Sequence, residues 1–65
     1  MKTYNITEKM ISEMQSKTGK SKAKCVNMKI FEILEKSNDD DKINIKLDGQ
    51  NDTYKIVAGR MVLIQ

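Results

Sequence analysis

Apolar and polar residues alternate with period two at the start of the chain, take helical spacing through its middle, and return to period two near its end. Tyr4 and Ile6 alternate with Thr3, Asn5 and Thr7, the pattern of a short extended segment over residues 1–7. Thr7 has the side chain of an N-cap, and Glu8 places an acid in the first turn, where the helix dipole favours one. Met10, Ile11 and Met14 form one apolar stripe and predict an amphipathic helix over about 8–17, which Thr18-Gly19 ends. Ser21 can cap a second helix over about 21–37. Its apolar positions are Cys25, Val26, Met28, Ile30, Phe31, Ile33 and Leu34, and Lys36-Ser37-Asn38 closes it. Past Asp39-Asp40-Asp41 the pattern changes: Ile43, Ile45 and Leu47 alternate with Asn44 and Lys46 and predict a strand over about 42–48. Asp48 to Asp52 reads as a turn-rich loop and residues 53–58 as the return strand of a hairpin. Gly59-Arg60 reads as a second turn or bulge and 61–64 as a final apolar strand. The expected fold is α+β in one small domain spanning residues 1–65: two N-terminal helices followed by a small antiparallel sheet, with a short strand ahead of the helices. Tyr4 and Ile6 then either fill the core or add a strand to the sheet edge.

Composition narrows how such a fold is held. With 38% hydrophobic residues, no Trp, one Phe and two Tyr, the chain can build only a small core, and at this length it buries about 60% of the surface its unfolded form exposes. Cys25 is the only cysteine, so no disulfide can form within the chain. There is no histidine, and one thiolate cannot supply the ligands zinc prefers. Asp39-Asp40-Asp41 lacks the alternating ligands and the glycine of a calcium loop and reads as a solvated acidic linker. No metal and no cofactor are expected. Association of two copies into a homodimer is the most available route to extra stability. The first five residues lack the apolar core of a signal peptide, and no apolar stretch approaches a membrane span. A lone cysteine fits a reducing compartment, so the expected location is the cytoplasm.

Catalytic chemistry finds little to work with. No histidine is present, and Cys25 lies on the apolar stripe of the second helix, the setting of an inert buried thiol. Gly19-Lys20-Ser21 matches the end of a phosphate-binding loop, but Met14 stands where that motif needs its first glycine. Glu32 and Glu35 read as solubilising charges on a helix surface. The expectation is a non-enzymatic binding module. Its charge is segregated: twelve basic residues exceed nine acidic ones, and Lys17, Lys20, Lys22 and Lys24 fall within eight residues with no acid between them. A local basic focus of this kind points to an anionic partner more strongly than the net charge of +3 does.

Residues 1–37 resemble the ribbon-helix-helix family of DNA-binding repressors, the Arc/MetJ type. The resemblance rests on Thr3-Tyr4-Asn5-Ile6-Thr7 as the ribbon and on the short amphipathic helix running into Thr18-Gly19-Lys20-Ser21. It rests also on Cys25, Val26, Ile30 and Leu34 as the apolar positions of the next helix. It implies that two chains pair their ribbons into an antiparallel sheet that enters the major groove of DNA, with Thr3, Asn5 and Thr7 facing the bases. It also implies that the start of the second helix, with Ser21 and with Lys17, Lys20, Lys22 and Lys24 around it, meets the phosphate backbone. The segment from Lys42 to Gln65 has no counterpart in that minimal fold.

A second function class stays open beside DNA binding. Two helices on a three-stranded antiparallel sheet is also the shape of small accessory proteins, including phage and mobile-element ones, that bind and regulate a larger protein. Met10, Met14 and Met28 would suit an adaptable binding face if they are not core. A reduced winged helix is a third shape, but its wing tip, Asp48 to Asp52, would be acidic and would repel phosphate.

Overall fold

The computed structural model describes residues 1–65 and gives the order β1 (Thr3–Thr7), α1 (Glu8–Thr18), α2 (Lys22–Lys36), β2 (Lys42–Leu47), β3 (Gln50–Val57) and β4 (Arg60–Leu63). Local signals account for the helix ends. The Thr7 hydroxyl accepts from the Met10 N–H at 3.4 Å and opens α1, and the Ser21 hydroxyl accepts from the Lys24 N–H at 3.2 Å and opens α2. Gly19 stops α1 at φ 70°, a conformation that favours glycine because it has no Cβ.

The sheet corrects the expected fold. It is neither purely antiparallel nor three-stranded, and it does not simply follow the helices. All four strands lie in one mixed sheet in the order β1-β2-β3-β4. β1 pairs in parallel with β2, from Thr3 opposite Lys42 to Thr7 opposite Lys46, while β2–β3 and β3–β4 are antiparallel. The α1–α2 pair is therefore the crossover that returns the chain for a parallel partner.

Asp41 supplies the physical reason for that pairing. Its carboxylate accepts from the Lys2 N–H and from the Asn38 N–H, each at 2.9 Å, and its side chain is almost fully buried. The Lys42 N–H in turn donates to the Lys2 carbonyl at 2.8 Å. These bonds lock the start of β1 to the entry of β2. The acidic run departs from a solvated linker at Asp41, which is buried, while Asp39 and Asp40 stay exposed. Asp39 accepts from the Ala58 N–H at 3.1 Å, Asp40 meets the Lys55 ammonium at 3.1 Å, and Asp41 holds the parallel strand.

The first hairpin is tighter than expected, and the second turns at Ala58-Gly59 rather than at Gly59-Arg60. Asp48 and Gly49 have φ of 53° and 77°, and Ala58 and Gly59 have 52° and 74°. Positive φ at both central residues is the signature of the two-residue type I′ turn, whose twist matches that of paired strands. The expected loop from Asp48 to Asp52 is therefore only a two-residue turn, and β3 begins at Gln50 rather than Thr53.

The core is a single cluster of Ile6, Ile11, Cys25, Ile33, Ile43 and Ile56, with Tyr4, Met14, Val26, Ile30, Leu34, Ile45, Leu47 and Met61 packed against it. Strand alternation puts Tyr4, Ile6, Ile43, Ile45, Leu47, Tyr54, Ile56, Met61 and Leu63 on the helix side of the sheet. The other side carries no layer. No helix is long and apolar enough to cross a membrane.

Candidate nucleic-acid interface

The residues expected to meet DNA separate into two groups on different parts of the molecule. Thr3 and Asn5 are exposed on the open side of the sheet, because Tyr4 and Ile6 between them turn to the helices. Thr7 shares their side, but its hydroxyl is committed to capping α1. Lys17, Lys20, Ser21 and Lys24 are exposed around the α1–α2 corner in the helical layer.

The corner is weaker than its sequence suggests. Lys22 turns to Asp48 and to Glu8, with its ammonium 3.0 Å from the Glu8 carboxylate. Its pKa is raised, first by the hydrogen bond to Asp48 and then by the one to Glu8, as expected of an ammonium held by two carboxylates. Glu8 also accepts from the Asp48 N–H at 3.2 Å, so Lys22 closes a small polar knot between the first turn of α1 and the β2–β3 turn. The Lys24 N–H, one of the free donors a helix start would offer an anion, is taken by Ser21. Lys17, Lys20 and Lys24 have no ion-pair partner, but they are three exposed charges rather than a cluster of four.

The open face of the sheet gathers more. Register pairs Asn5 with Asn44 and Asn44 with Thr53, which makes a polar row across three strands. On one side of it Thr3, Lys42, Lys55 and Val62 form a second row. On the other side Thr7, Lys46 and Asn51 form a third. Val57 and Arg60 complete the face at the β3–β4 end. Four cations, Lys42, Lys46, Lys55 and Arg60, therefore share this surface, and no strand position on it carries a carboxylate. Asp52 lies opposite Ile45 and so points to the helix side. The only acid that reaches a cation of the face is Asp40, from the connection ahead of β2. The Asn44 side-chain amide donates to Thr53 in its own row and to Asn51 in the third row, at 2.8 Å each. Its own oxygen is shielded and has no donor.

Sequence alone points to the β1 column of this face and misses the rest. Lys42, Lys46, Lys55 and Arg60 lie far apart along the chain and among polar neighbours, so no run of charge marks them. Their alternation within each strand is the one signal that marks them, since residues two apart share a face. Neither the protein-family models, nor the curated proteins, nor the solved structures contain a match to this chain.

Proposed function

We propose that the chain is a non-enzymatic DNA-binding module of regulatory or architectural type that works in the cytoplasm and contacts phosphates chiefly through the open face of its sheet. The observation behind this reading is the single sign of charge among the strand positions of that face. A solvated surface ordinarily intersperses both signs; here the acids lie on the helices, in the turns, ahead of β2 and, for Asp52, on the helix side of the sheet, and the cations of the open face are left together. Threonine and asparagine between them are side chains that hydrogen-bond phosphate oxygens and base edges. Lys17, Lys20 and Lys24 extend the positive field around the helical corner. A buried, unpaired Cys25 suits the reducing cytoplasm.

Anisotropy of a labelled duplex across a potassium chloride series tests the reading. Four phosphate contacts give a slope of about −3.6 in log K against log salt, a loss of roughly a hundredfold between 50 and 200 mM. Lys42→Glu with Lys46→Glu should abolish most of the binding, and Lys20→Glu with Lys24→Glu should reduce it less. Binding that ignores salt, or that survives the sheet-face reversal, overturns the reading.

One feature favours a second reading, a protein-binding modulator. Phe31 is 66% exposed on the outer side of α2, and Leu63 is 58% exposed although it points to the helix side of the sheet. Val62 and Ile64 are also exposed. Partner binding that is indifferent to salt and lost in Phe31→Ser or Leu63→Ser would select that reading over the first.

A further inference from the structure

One row of the open face carries an arrangement that stable sheets avoid. Lys42 and Lys55 stand directly opposite each other on β2 and β3. The Ile56 N–H donates to the Asp41 carbonyl at 2.8 Å and the Asp40 N–H donates to the Ile56 carbonyl at 2.9 Å, so Asp40 and Asp41 together face Ile56 in a bulge at a hydrogen-bonded position of the ladder. The next pair, Lys42 with Lys55, is then of the non-hydrogen-bonded kind, in which the Cα atoms approach to about 4.5 Å and the side chains are closest. Like charges set opposite each other in this way destabilise a sheet.

Only one carboxylate answers the two ammonium groups. Asp40 sits 3.1 Å from the Lys55 Nζ and is itself more than half exposed. Its φ of 73° is that of the first residue of the bulge opposite Ile56, a left-handed position that Asp enters more readily than most L-residues. Lys42 has no ion-pair partner. Thr3, on the other flank of Lys42, adds an exposed hydroxyl to the row.

We propose that Lys42 and Lys55, with Thr3 beside them, form a subsite for one phosphodiester of a nucleic-acid backbone, and that Asp40 occupies it in the free protein as a tethered competitor. The proposal rests on the reading above that the open face meets DNA. A phosphodiester carries one negative charge on two free oxygens. It can accept from both ammonium groups at once, which a carboxylate held to the Lys55 side does not. Binding exchanges the exposed Asp40–Lys55 pair for the phosphate and releases Asp40 to water. Exposed ion pairs of that kind are weak, so the exchange meets little resistance. Asp40 therefore lowers the apparent affinity.

The test is a double-mutant cycle read by duplex anisotropy at fixed salt. Asp40→Asn should tighten binding by about two- to fivefold, the reverse of what removing a structural residue does. Lys55→Gln and Lys42→Gln should each weaken binding and flatten the salt slope by about 0.9. The decisive arm is Asp40→Asn in the Lys55→Gln background, where the tightening should vanish. Equal tightening with and without Lys55 would reveal a mere change of overall charge and overturn the subsite. So would no tightening at all. Asp40→Gly, which accepts the positive φ, serves as a second variant in case Asp40→Asn perturbs folding. Inorganic phosphate at constant ionic strength is a separate arm: displacement of the duplex at low-millimolar phosphate would assign the subsite to the free anion and overturn the nucleic-acid source. If the Lys42 and Lys55 variants bind normally while Lys46→Glu still weakens binding, the subsite falls and the sheet-face reading stands. If the wild-type chain binds no duplex at any salt, both fall.

Discussion

Ile6 is the residue whose truncation best tests whether β1 belongs to the core of a single chain. It is fully buried, it lies opposite Ile45 in the parallel register, and it belongs to the same cluster as Ile11, Cys25 and Ile33 from both helices. Ile6→Val removes one methyl group from this site and should cost about 1 kcal/mol; Ile6→Ala adds a larger cavity and should cost about 2–5 kcal/mol. A domain of 65 residues has roughly 3–10 kcal/mol of stability in total, so the alanine variant approaches the limit of folding. The valine variant is therefore the quantitative probe, with an expected fall in Tm of about 4–8 °C. Thermal unfolding followed by far-UV circular dichroism measures it. The drop should be the same at two protein concentrations, because Ile6 packs against side chains of its own chain. A Tm that moves by less than about 1 °C, well below the expected shift, would refute the placement of β1 in the core and with it the parallel pairing.

Three further outcomes follow from other parts of the structure. The Asp41 carboxyl is held below its ordinary value of 3.8 by the Asn38 N–H first and the Lys2 N–H second. Its stabilising effect is then complete above the ordinary carboxylate range and is lost as pH falls through the lowered folded value. Asp41→Asn should lower Tm at neutral pH and flatten the acid limb of a Tm-against-pH curve; an unchanged acid limb would remove Asp41 from its role as the β1 clamp. Ala58 holds φ at 52° beside Gly59, and Ala58→Asn, which tolerates that region, should stabilise the chain by about 0.5–1 kcal/mol in urea unfolding. A loss of stability would mean the turn is not of the I′ type. Phe31→Ser should leave urea stability within about 0.5 kcal/mol of wild type, since the ring is largely exposed; a large loss would place it in the core instead.

The parts of the fold legible in the sequence are those whose cause is local. Thr7, Ser21 and Gly19 act within one helical turn of themselves, and their cap roles hold in the structure. The alternation of Ile43, Ile45 and Leu47 likewise depends only on the strand itself. The partner of β1 has no local cause. It is fixed by a hydrogen bond from the Lys2 N–H to a carboxylate 39 residues away, and the same Asp41 looks like part of a solvated acidic run when read alone. The start of β3 is hidden for a related reason. Gln50, Asn51 and Asp52 are polar on both faces and resemble a loop, yet Asp48-Gly49 carries the strongest short hairpin signal in the chain and sets their register.

The candidate interface is hidden by the same physics. A basic run in sequence becomes a basic surface only if the backbone turns all its members one way, and helix geometry sends Lys22 toward Glu8 and Asp48 while Lys24 remains exposed. Cations dispersed over three strands reach one surface whenever alternation and register agree, however far apart they lie in the chain. Lys42 and Lys55 are separated by a hairpin and become direct neighbours through pairing alone. Charge that is scattered in sequence but of one sign in space cannot be attributed to local composition. Its mutual repulsion opposes folding, and an anion bound there would relieve it.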